Sequence, residues 1–452
     1  MISGSLQQAA EFMDARMRGA DARFTGVSTD SRQLRDGQLF FAIHGPRFDG
    51  HGYVSAAFAA GAAAAVVDRE VPGEPLLLTD DTRIALGKLA ARWREQCAPR
   101  VVAVTGSNGK TTVKEMLAGI LSRAGPTLAT SGNLNNDIGM PLTLLGLAAE
   151  HRYAVAELGA NHAGEIAYLT RIAQPDVALI TNAGASHLAG FGSVEGVARA
   201  KGEIFQGLAA AGTAVINADD RHVSLWRELA ASFRVITFAA DAGTDTDVTA
   251  TLQDGHLHLR HGGERADAHT TLAGRHNASN AAAACAAAVA LGIPLVDAAE
   301  SLARMQPVSG RLQFKAGAGG AVIIDDTYNA NPASLHAALE VLGAQAQAHK
   351  CLVLGDMGEL GAASPGLHAQ AGEDARGHGV ELFYAVGKMA AHAARGFGDG
   401  ALCFDEPDAA GRALRKRLTP QVCVLVKGSR AMRMERAVTE LLDQPGVRPE
   451  GS

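Results

Sequence analysis

The segment Val101 to Thr112, VVAVTGSNGKTT, holds residue types suited to phosphate chemistry in a telling order. Val101 to Val104 are apolar and mostly β-branched, which reads as a buried strand. The turn Thr105-Gly106-Ser107-Asn108-Gly109 follows, and Lys110, Thr111 and Thr112 open a helical pattern. Strand, Gly-rich turn and helix start are the setting of a phosphate-binding loop. Backbone N–H groups at a helix N-terminus favour an anion. Lys110 adds a compact positive charge, and the Thr111 hydroxyl suits Mg²⁺. The segment departs from the general pattern G-x-x-x-x-G-K-[ST], because Val104 stands at the first glycine position. Taken alone, it indicates only that a nucleoside triphosphate binds.

Other chemistry-bearing residues follow strand-like runs. Tyr153 to Ala156 leads into Glu157, and Val177 to Thr181 leads into Asn182. His187 lies on the Gly-rich loop NAGASHLAGFG, and Lys201 lies in the helical stretch VEGVARAKGEIFQGL. Mg²⁺ takes few, hard oxygen ligands, and Thr111 and Glu157 meet that need. One by one each has a plainer reading: a strand-end carboxylate, a structural histidine, a solvated helix lysine. Earlier, Ser28 to Arg32 (STDSR) and His44 to His51 (HGPRFDGH) are dense in hydrogen-bonding groups beside strands. Turn chemistry accounts for such clusters. Their arginines, Arg32 and Arg47, could instead grip a diphosphate through the guanidinium fork. His256 and His258 share one strand face, either solvated or metal-binding.

The elements that must hold these residues form an α/β pattern. A length of 452 residues corresponds to roughly three domains of about 150 residues each. In residues 1–98, short strands (Gln38 to Ile43, Ala64 to Val67) alternate with an Ala-rich helix (Val54 to Ala60). Ala98-Pro99-Arg100 marks a boundary. In residues 99–310, strands alternate with helices, which predicts a mostly parallel sheet with helices on both faces. Ligands gather at the carboxyl ends of strands in such sheets. The loop, Glu157 and Asn182 to His187 are therefore expected on one edge. Residues 247–261 read as a hairpin around Asp254-Gly255 at the sheet edge. After the linker Met305 to Arg311, residues 311–452 repeat the pattern as a Rossmann-like, doubly wound unit. Its apolar runs are 321–324, 350–354, 382–386 and 421–426, and its helices include Ala333 to Ala346 and Ala431 to Leu442. Pro449 to Ser452 read as a loose tail.

Bulk properties exclude several classes. A net charge of −6 gives no electrostatic basis for nucleic acid or an anionic membrane. The longest apolar run, Ala281 to Leu291, is too short to span a bilayer and reads as a buried helix. The N-terminus lacks the basic-then-apolar order of a signal peptide. The five cysteines, 97, 285, 351, 403 and 423, form no C-x-x-C pair. Three lie in apolar runs, as buried hydrophobes of a reduced, cytoplasmic protein.

Several segments resemble the Mur ligase family of ATP-dependent amide-bond ligases. They are TGSNGKTT, GNLNNDIGMPLTLL (132–145), AELGANHAGEI (156–166), TNAGASHLAGFGS (181–193), ARAKGEIF (198–205), GRHNASNAAAA (274–284), SGRLQ (309–313) and IDDTYNANPAS (324–334). TDSR and GPRFDGH extend the likeness to nearly the whole chain. DDTYNANP, GDMGELG (355–361) and KGSRAMRME (427–435) most resemble the member that joins D-alanyl-D-alanine to UDP-N-acetylmuramoyl-tripeptide (UDP-MurNAc-tripeptide).

The resemblance implies a UDP-binding first domain, a central ATP-binding domain and a C-terminal domain that closes over ATP and takes the dipeptide. It implies ATP, one or two Mg²⁺ and a CO₂-derived carbamate on Lys201, in a monomer. Lys110, Glu157, His187 and Lys201 become catalytic candidates, and Thr111, Glu157, His187 and carbamylated Lys201 the metal set. Thr105 to Thr112, Asn277, Asn280, Arg311, Asp326, Tyr328 and Asn329 would face ATP. Ser31, Arg32, His44, Asp49, Asn135 and Asn136 are candidates for the UDP substrate. Asn331, Asp356, Lys427, Ser429 and Arg430 are candidates for D-alanyl-D-alanine. Two rivals stay open: a Mur-type ligase adding a diamino acid to a UDP-dipeptide, and a P-loop kinase.

Overall fold

A computed structural model of the chain describes residues 1–45, 48–240 and 246–443. Arg47 and the tail Pro449 to Ser452 lie outside the described residues.

The central sheet has nine strands. Their spatial order is Thr127–Ala129, Tyr153–Glu157, Arg100–Thr105, Val177–Ile180, Thr213–Asn217, Arg234–Ala239, Val248–Gln253, His256–His261 and Glu264–His269. All run parallel up to Val248–Gln253, and the last two are antiparallel. The hairpin around Asp254-Gly255 forms as the sequence predicts, but it is not the edge. Glu264–His269 adds beyond it, pairing Leu257 with Ala268 and Leu259 with Ala266. That strand turns only the small Ala266 and Ala268 inward, so no apolar run marks it. His256 and His258 stay on an exposed face, where His258 bonds Asp267 at 2.6 Å.

Alternation along the opening strand divides two cores. Val101 and Ala103 join one apolar cluster, while Val102 and Val104 join the other, because successive strand side chains point to opposite faces. The second cluster is covered by helix Lys110–Ala124, through Val113, Met116, Leu117, Ile120 and Leu121. Their spacing makes one helical stripe. Helix Arg275–Ala290 packs against it and is buried nearly all round from Ala281 to Ala288. Alanines allow that close approach. The first cluster continues into the N-terminal residues, where helix Thr82–Cys97 packs on Gly139–Leu145.

The N-terminal part holds a five-stranded sheet built around Leu39–Phe41, Ala64–Val67 and Leu76–Leu78. The C-terminal part holds a six-stranded sheet. Its order is Gln313–Ala316, Val322–Asp326, Val422–Lys427, His349–Gly355, Val380–Val386 and Ala401–Phe404. The predicted strands are present, flanked by helices that include Pro332–Gly343 and Glu435–Leu441. The two outermost strands were not expected. Both are half-exposed edges: Gln313–Ala316 has no continuous apolar run, and the short run Ala401–Phe404 has no buried residue. Cys285, Cys351 and Cys423 are buried as expected, whereas Cys403 is exposed. No helix among the described residues is long and apolar enough to cross a membrane.

Candidate active site

A cleft of about 670 Å³ lies at the carboxyl ends of the central strands and reaches the C-terminal sheet. It gathers Ser107 to Thr112, Asn135, Asn136, Glu157, His187, Lys201, Asn277 and Asn280 from the central part. Arg311, Asp326, Tyr328, Asn329, Asn331, Lys427 and Arg430 line it from the C-terminal side.

The loop is held by its neighbour strand. Asn108 N donates to Asn182 Oδ1 at 2.9 Å, and Ser107 N donates to Asn182 O at 2.9 Å. Gly184 N donates to Ser107 Oγ at 3.0 Å, with Ser186 Oγ donating to the same oxygen at 2.8 Å. Gly106 has φ +148° and Gly109 φ +81°. A side chain at Gly106 would overlap Thr181 Oγ1, and one at Gly109 would overlap Asn280 Oδ1. Glycine at 109 thus combines a left-handed turn with close approach of Asn280. Lys110 opens the following helix and folds back, its Nζ 2.6 Å from Gly106 O and 3.3 Å from Ser107 O. Lost hydration lowers its pKa, partly countered by the Glu157 charge.

Glu157 stands opposite Val104 in register, at the end of its strand. It is 3% exposed. Asn135 Nδ2 donates to its Oε1 at 2.8 Å, while its Oε2 is buried with no hydrogen-bond partner. An orphaned carboxylate oxygen beside a phosphate loop fits a hard cation. Lys201 is 1% exposed. Helix Val194–Gly202 carries it inward, held at its start by Ser193 capping Gly196 N. Its Nζ sits over the Phe191 ring, 5.5 Å from the centroid. Desolvation first, then the Lys110 charge, lowers the Lys201 pKa from 10.5 to about 7. This is not the solvated lysine that its helix alone suggests.

The two sides of the cleft touch directly. Arg311 Nη2 donates to Thr111 Oγ1 at 3.0 Å, and its guanidinium stacks 4.2 Å from the Tyr328 ring centroid. Asn331 Nδ2 donates to Asn108 Oδ1 at 2.7 Å while its own side chain caps helix Pro332–Gly343. His187 Nδ1 lies 2.5 Å from Glu359 Oε2, outside the alignment of a hydrogen bond. Glu359 and His276 line the cleft and were not singled out by sequence reasoning. Glu359 has φ +62°, unusual for a side-chain-bearing residue. No periodicity announces it, only its place in GDMGELG. His276 is buried deep enough that desolvation lowers its pKa, and its Nδ1 lacks a partner.

The remaining candidates separate. Lys427 Nζ pairs with the Asp326 carboxylate and donates to Asn329 O at 2.9 Å, so it joins the residues expected at the nucleotide. Lys427→Ala is expected to lower the unfolding free energy by about 3–5 kcal/mol, because a buried carboxylate loses its partner; urea titration measures it. Asp356 and Ser429 are not among the cleft-lining residues. Asp356 Oδ1 accepts from Ala390 N at 2.7 Å, and its carbonyl accepts from Ser429 N at 3.0 Å. Asn136 Oδ1 caps the helix at Gly139 N, 2.8 Å away.

Ser31, Arg32, His44 and Asp49 also lie apart from the cleft lining. The Arg32 fork grips Asp30 at 2.9 and 2.8 Å, holding that carboxyl at about 2. Arg69 and His51 hold Asp49 well below the usual carboxylate range. Arg83 ties this region to the central part, donating to His44 O at 3.1 Å and pairing with Asp137 at 2.8 Å.

Comparison with known proteins follows this division. Residues 23–94 match the "Mur ligase family, catalytic domain", 104–288 the "Mur ligase middle domain" and 310–430 the "Mur ligase, glutamate ligase domain". UDP-N-acetylmuramoyl-tripeptide–D-alanyl-D-alanine ligase of Escherichia coli K12 is 44% identical, covering 98% of this chain and 99% of its own. The enzyme of the same name from Bacillus subtilis is 35% identical, covering 98% and 100%. A crystal structure of MurF from Acinetobacter baumannii superposes with a TM-score of 0.92 at 39% identity, covering 98% and 100%. MurF ligase from Thermotoga maritima, solved with ADP, superposes at 0.83 and 29% identity, covering 92% and 96%. With all three regions matched in order and likeness along nearly its full length, the chain belongs to the Mur ligase family.

Proposed function

We propose that this chain is an ATP-dependent ligase that adds D-alanyl-D-alanine to UDP-MurNAc-tripeptide in peptidoglycan precursor synthesis. The products are UDP-MurNAc-pentapeptide, ADP and phosphate. The observation that carries the reading is the meeting, in one cleft, of a phosphate loop, an enclosed lysine and Arg311 and Asp326 from another sheet. A kinase needs only the first of these. The relatives named above act in that same step by name. On this reading residues 1–98 bind the UDP substrate, 99–310 bind ATP, and 311–452 close over ATP and take the dipeptide.

An amide cannot form from a carboxylate at neutral pH without a better leaving group than oxide. The tripeptide's terminal carboxylate attacks the γ-phosphorus, the bond to ADP breaks, and an acyl phosphate forms. The dipeptide amine then attacks the acyl carbon, phosphate leaves, and the nitrogen gives up a proton. The chain's part is positioning and charge stabilisation. Lys110 and Arg311 face the phosphates. Asn277, Asn280, Asp326, Tyr328 and Asn329 hold the nucleoside, and His276 joins them. Ser31, Arg32, His44, Asp49, Asn135 and Asn136 serve the UDP substrate. Asn331 and Arg430, which line the cleft, serve the dipeptide, and Lys427 holds Asp326 at the nucleotide.

Thr111, Glu157, His187 and carbamylated Lys201 would hold Mg²⁺, whose chemistry is to neutralise charge on the phosphates. A neutral Lys201 amine adds to CO₂ and loses a proton, which turns a cation into an oxygen ligand. The Glu359 carboxylate, 2.5 Å from His187 Nδ1, faces that ring within the cleft. Glu359→Gln is expected to lower kcat/KM about 10-fold, as for loss of a partner beside a ligand, and steady-state kinetics read it.

The deciding experiment is ADP release with each substrate omitted in turn. Sustained ADP release should need UDP-MurNAc-tripeptide and D-alanyl-D-alanine together, with the tripeptide alone giving no more than a single turnover as the acyl phosphate forms. Release without either acceptor would sink the ligase reading in favour of the kinase. Release with UDP-dipeptide and a diamino acid instead would transfer the chain to the other ligase class.

A further inference from the structure

Helices Pro332–Gly343 and Ser364–Gly377 pack against each other on the C-terminal sheet. His336 and Glu340 stand one turn apart on the first, and Asp374 and His378 one turn apart at the end of the second. Residues spaced by four share a helix face, and here the two faces meet. His336 Nδ1 lies 2.9 Å from Asp374 Oδ2, and His378 Nδ1 lies 3.2 Å from Asp374 Oδ1. The imidazole rings stand edge to face, 5.1 Å between centroids. One ligating atom from each of the three residues falls within 4.8 Å of the others. None of the three lines the cleft.

Ligands about 2.0–2.1 Å from a tetrahedral Zn²⁺ sit roughly 3.3 Å from one another. The His336 Nδ1–Asp374 Oδ2 separation is already near that value. His378 Nδ1 is also 2.8 Å from the Asp374 carbonyl. A neutral ring donating there keeps its lone pair on Nε2. His336 Nε2 lies 3.9 Å from Glu340 Oε1. A carboxylate behind the second ring nitrogen is the usual partner of a ligating histidine. Two imidazoles and one carboxylate suit Zn²⁺, Ni²⁺ or Co²⁺ rather than Mg²⁺.

We infer that His336, Asp374 and His378 form a transition-metal site of the Zn²⁺ type, distinct from the catalytic cleft, with Glu340 orienting His336. His336 is half-exposed, so the ion enters from solvent and water completes its coordination. The site would tie together two helices that both begin near the cleft. One starts at Asn331, which touches Asn108, and the other follows the loop bearing Glu359.

The test uses the untagged full-length chain, stripped of metal and kept in excess Mg²⁺ to occupy oxygen sites. Zn²⁺ is titrated by calorimetry and Co²⁺ by visible absorption. One tight equivalent is expected, with a raised thermal unfolding midpoint. H336Q/H378Q should lose that equivalent, whereas H256Q/H258Q should retain it. Both should unfold at the wild-type midpoint in chelator, which separates lost ligation from misfolding. E340Q should weaken Zn²⁺ binding about 10-fold. No tight equivalent in the wild type, or its survival in H336Q/H378Q, would overturn the assignment.

Discussion

Lys201→Ala is expected to lower kcat by about 10³-fold, the scale of removing one preorganised charge from a water-poor site. Short carboxylates such as acetate should restore part of the activity by standing in for the missing carbamate. The reason lies in burial. Lys201 is 1% exposed, and desolvation together with Lys110 brings its amine to about 7. An ordinary lysine is almost wholly protonated at neutral pH and cannot add to CO₂. This one is substantially neutral. Above about 7 the free amine and its carbamate are favoured; below it the ammonium wins and the carbamate is lost. Protein equilibrated in ¹³C-bicarbonate should show a carbamate carbonyl signal that fades as pH falls below that point and is absent from Lys201→Ala. Stability of the unmodified chain follows the same direction. The folded state binds this proton less tightly than the unfolded state, so stability rises with pH between about 7 and 10.5. Full activity in Lys201→Ala would refute the carbamate.

Lys110→Ala is the second large effect, a loss of about 10³-fold in kcat/KM for ATP, or about 4 kcal/mol of transition-state stabilisation. The loop should survive the change. Asn182 holds both Ser107 N and Asn108 N, and Ser107 holds Gly184, all without Lys110. An unchanged unfolding midpoint would show that the loss belongs to the reaction. Lys110→Arg should fare little better. The ammonium fits a pocket between two carbonyls, 2.6 and 3.3 Å away, and a planar fork cannot occupy a point-charge position. A Lys110→Ala enzyme within about tenfold of wild type would remove Lys110 from the phosphates.

Much of the scaffold was written in local pattern. The opening strand, the glycine turn and the helix behind it follow from Val101 to Ala124. The hairpin follows from Asp254-Gly255, and the parallel core strands from their apolar runs. Backbone hydrogen bonding and side-chain periodicity act over a few residues, so nearby residues suffice to specify them. Edge strands escaped, because Glu264–His269 and Gln313–Ala316 have no continuous apolar run and are completed only by the neighbour they pair with.

The site divides in the same way. Residue type and spacing marked the loop and Glu157, while likeness to Mur ligase motifs marked His187, Lys201, Arg311 and Asp326. Only the packed molecule decided that Arg311 reaches Thr111, that Asn331 reaches Asn108 and that Glu359 meets His187. It also decided that Lys201 loses its water, that Lys427 turns to Asp326, and that Asp356 caps a helix instead of lining the cleft. Desolvation and charge pairing depend on which distant elements close over a side chain. That is a property of the assembled sheets, and no stretch of sequence carries it alone.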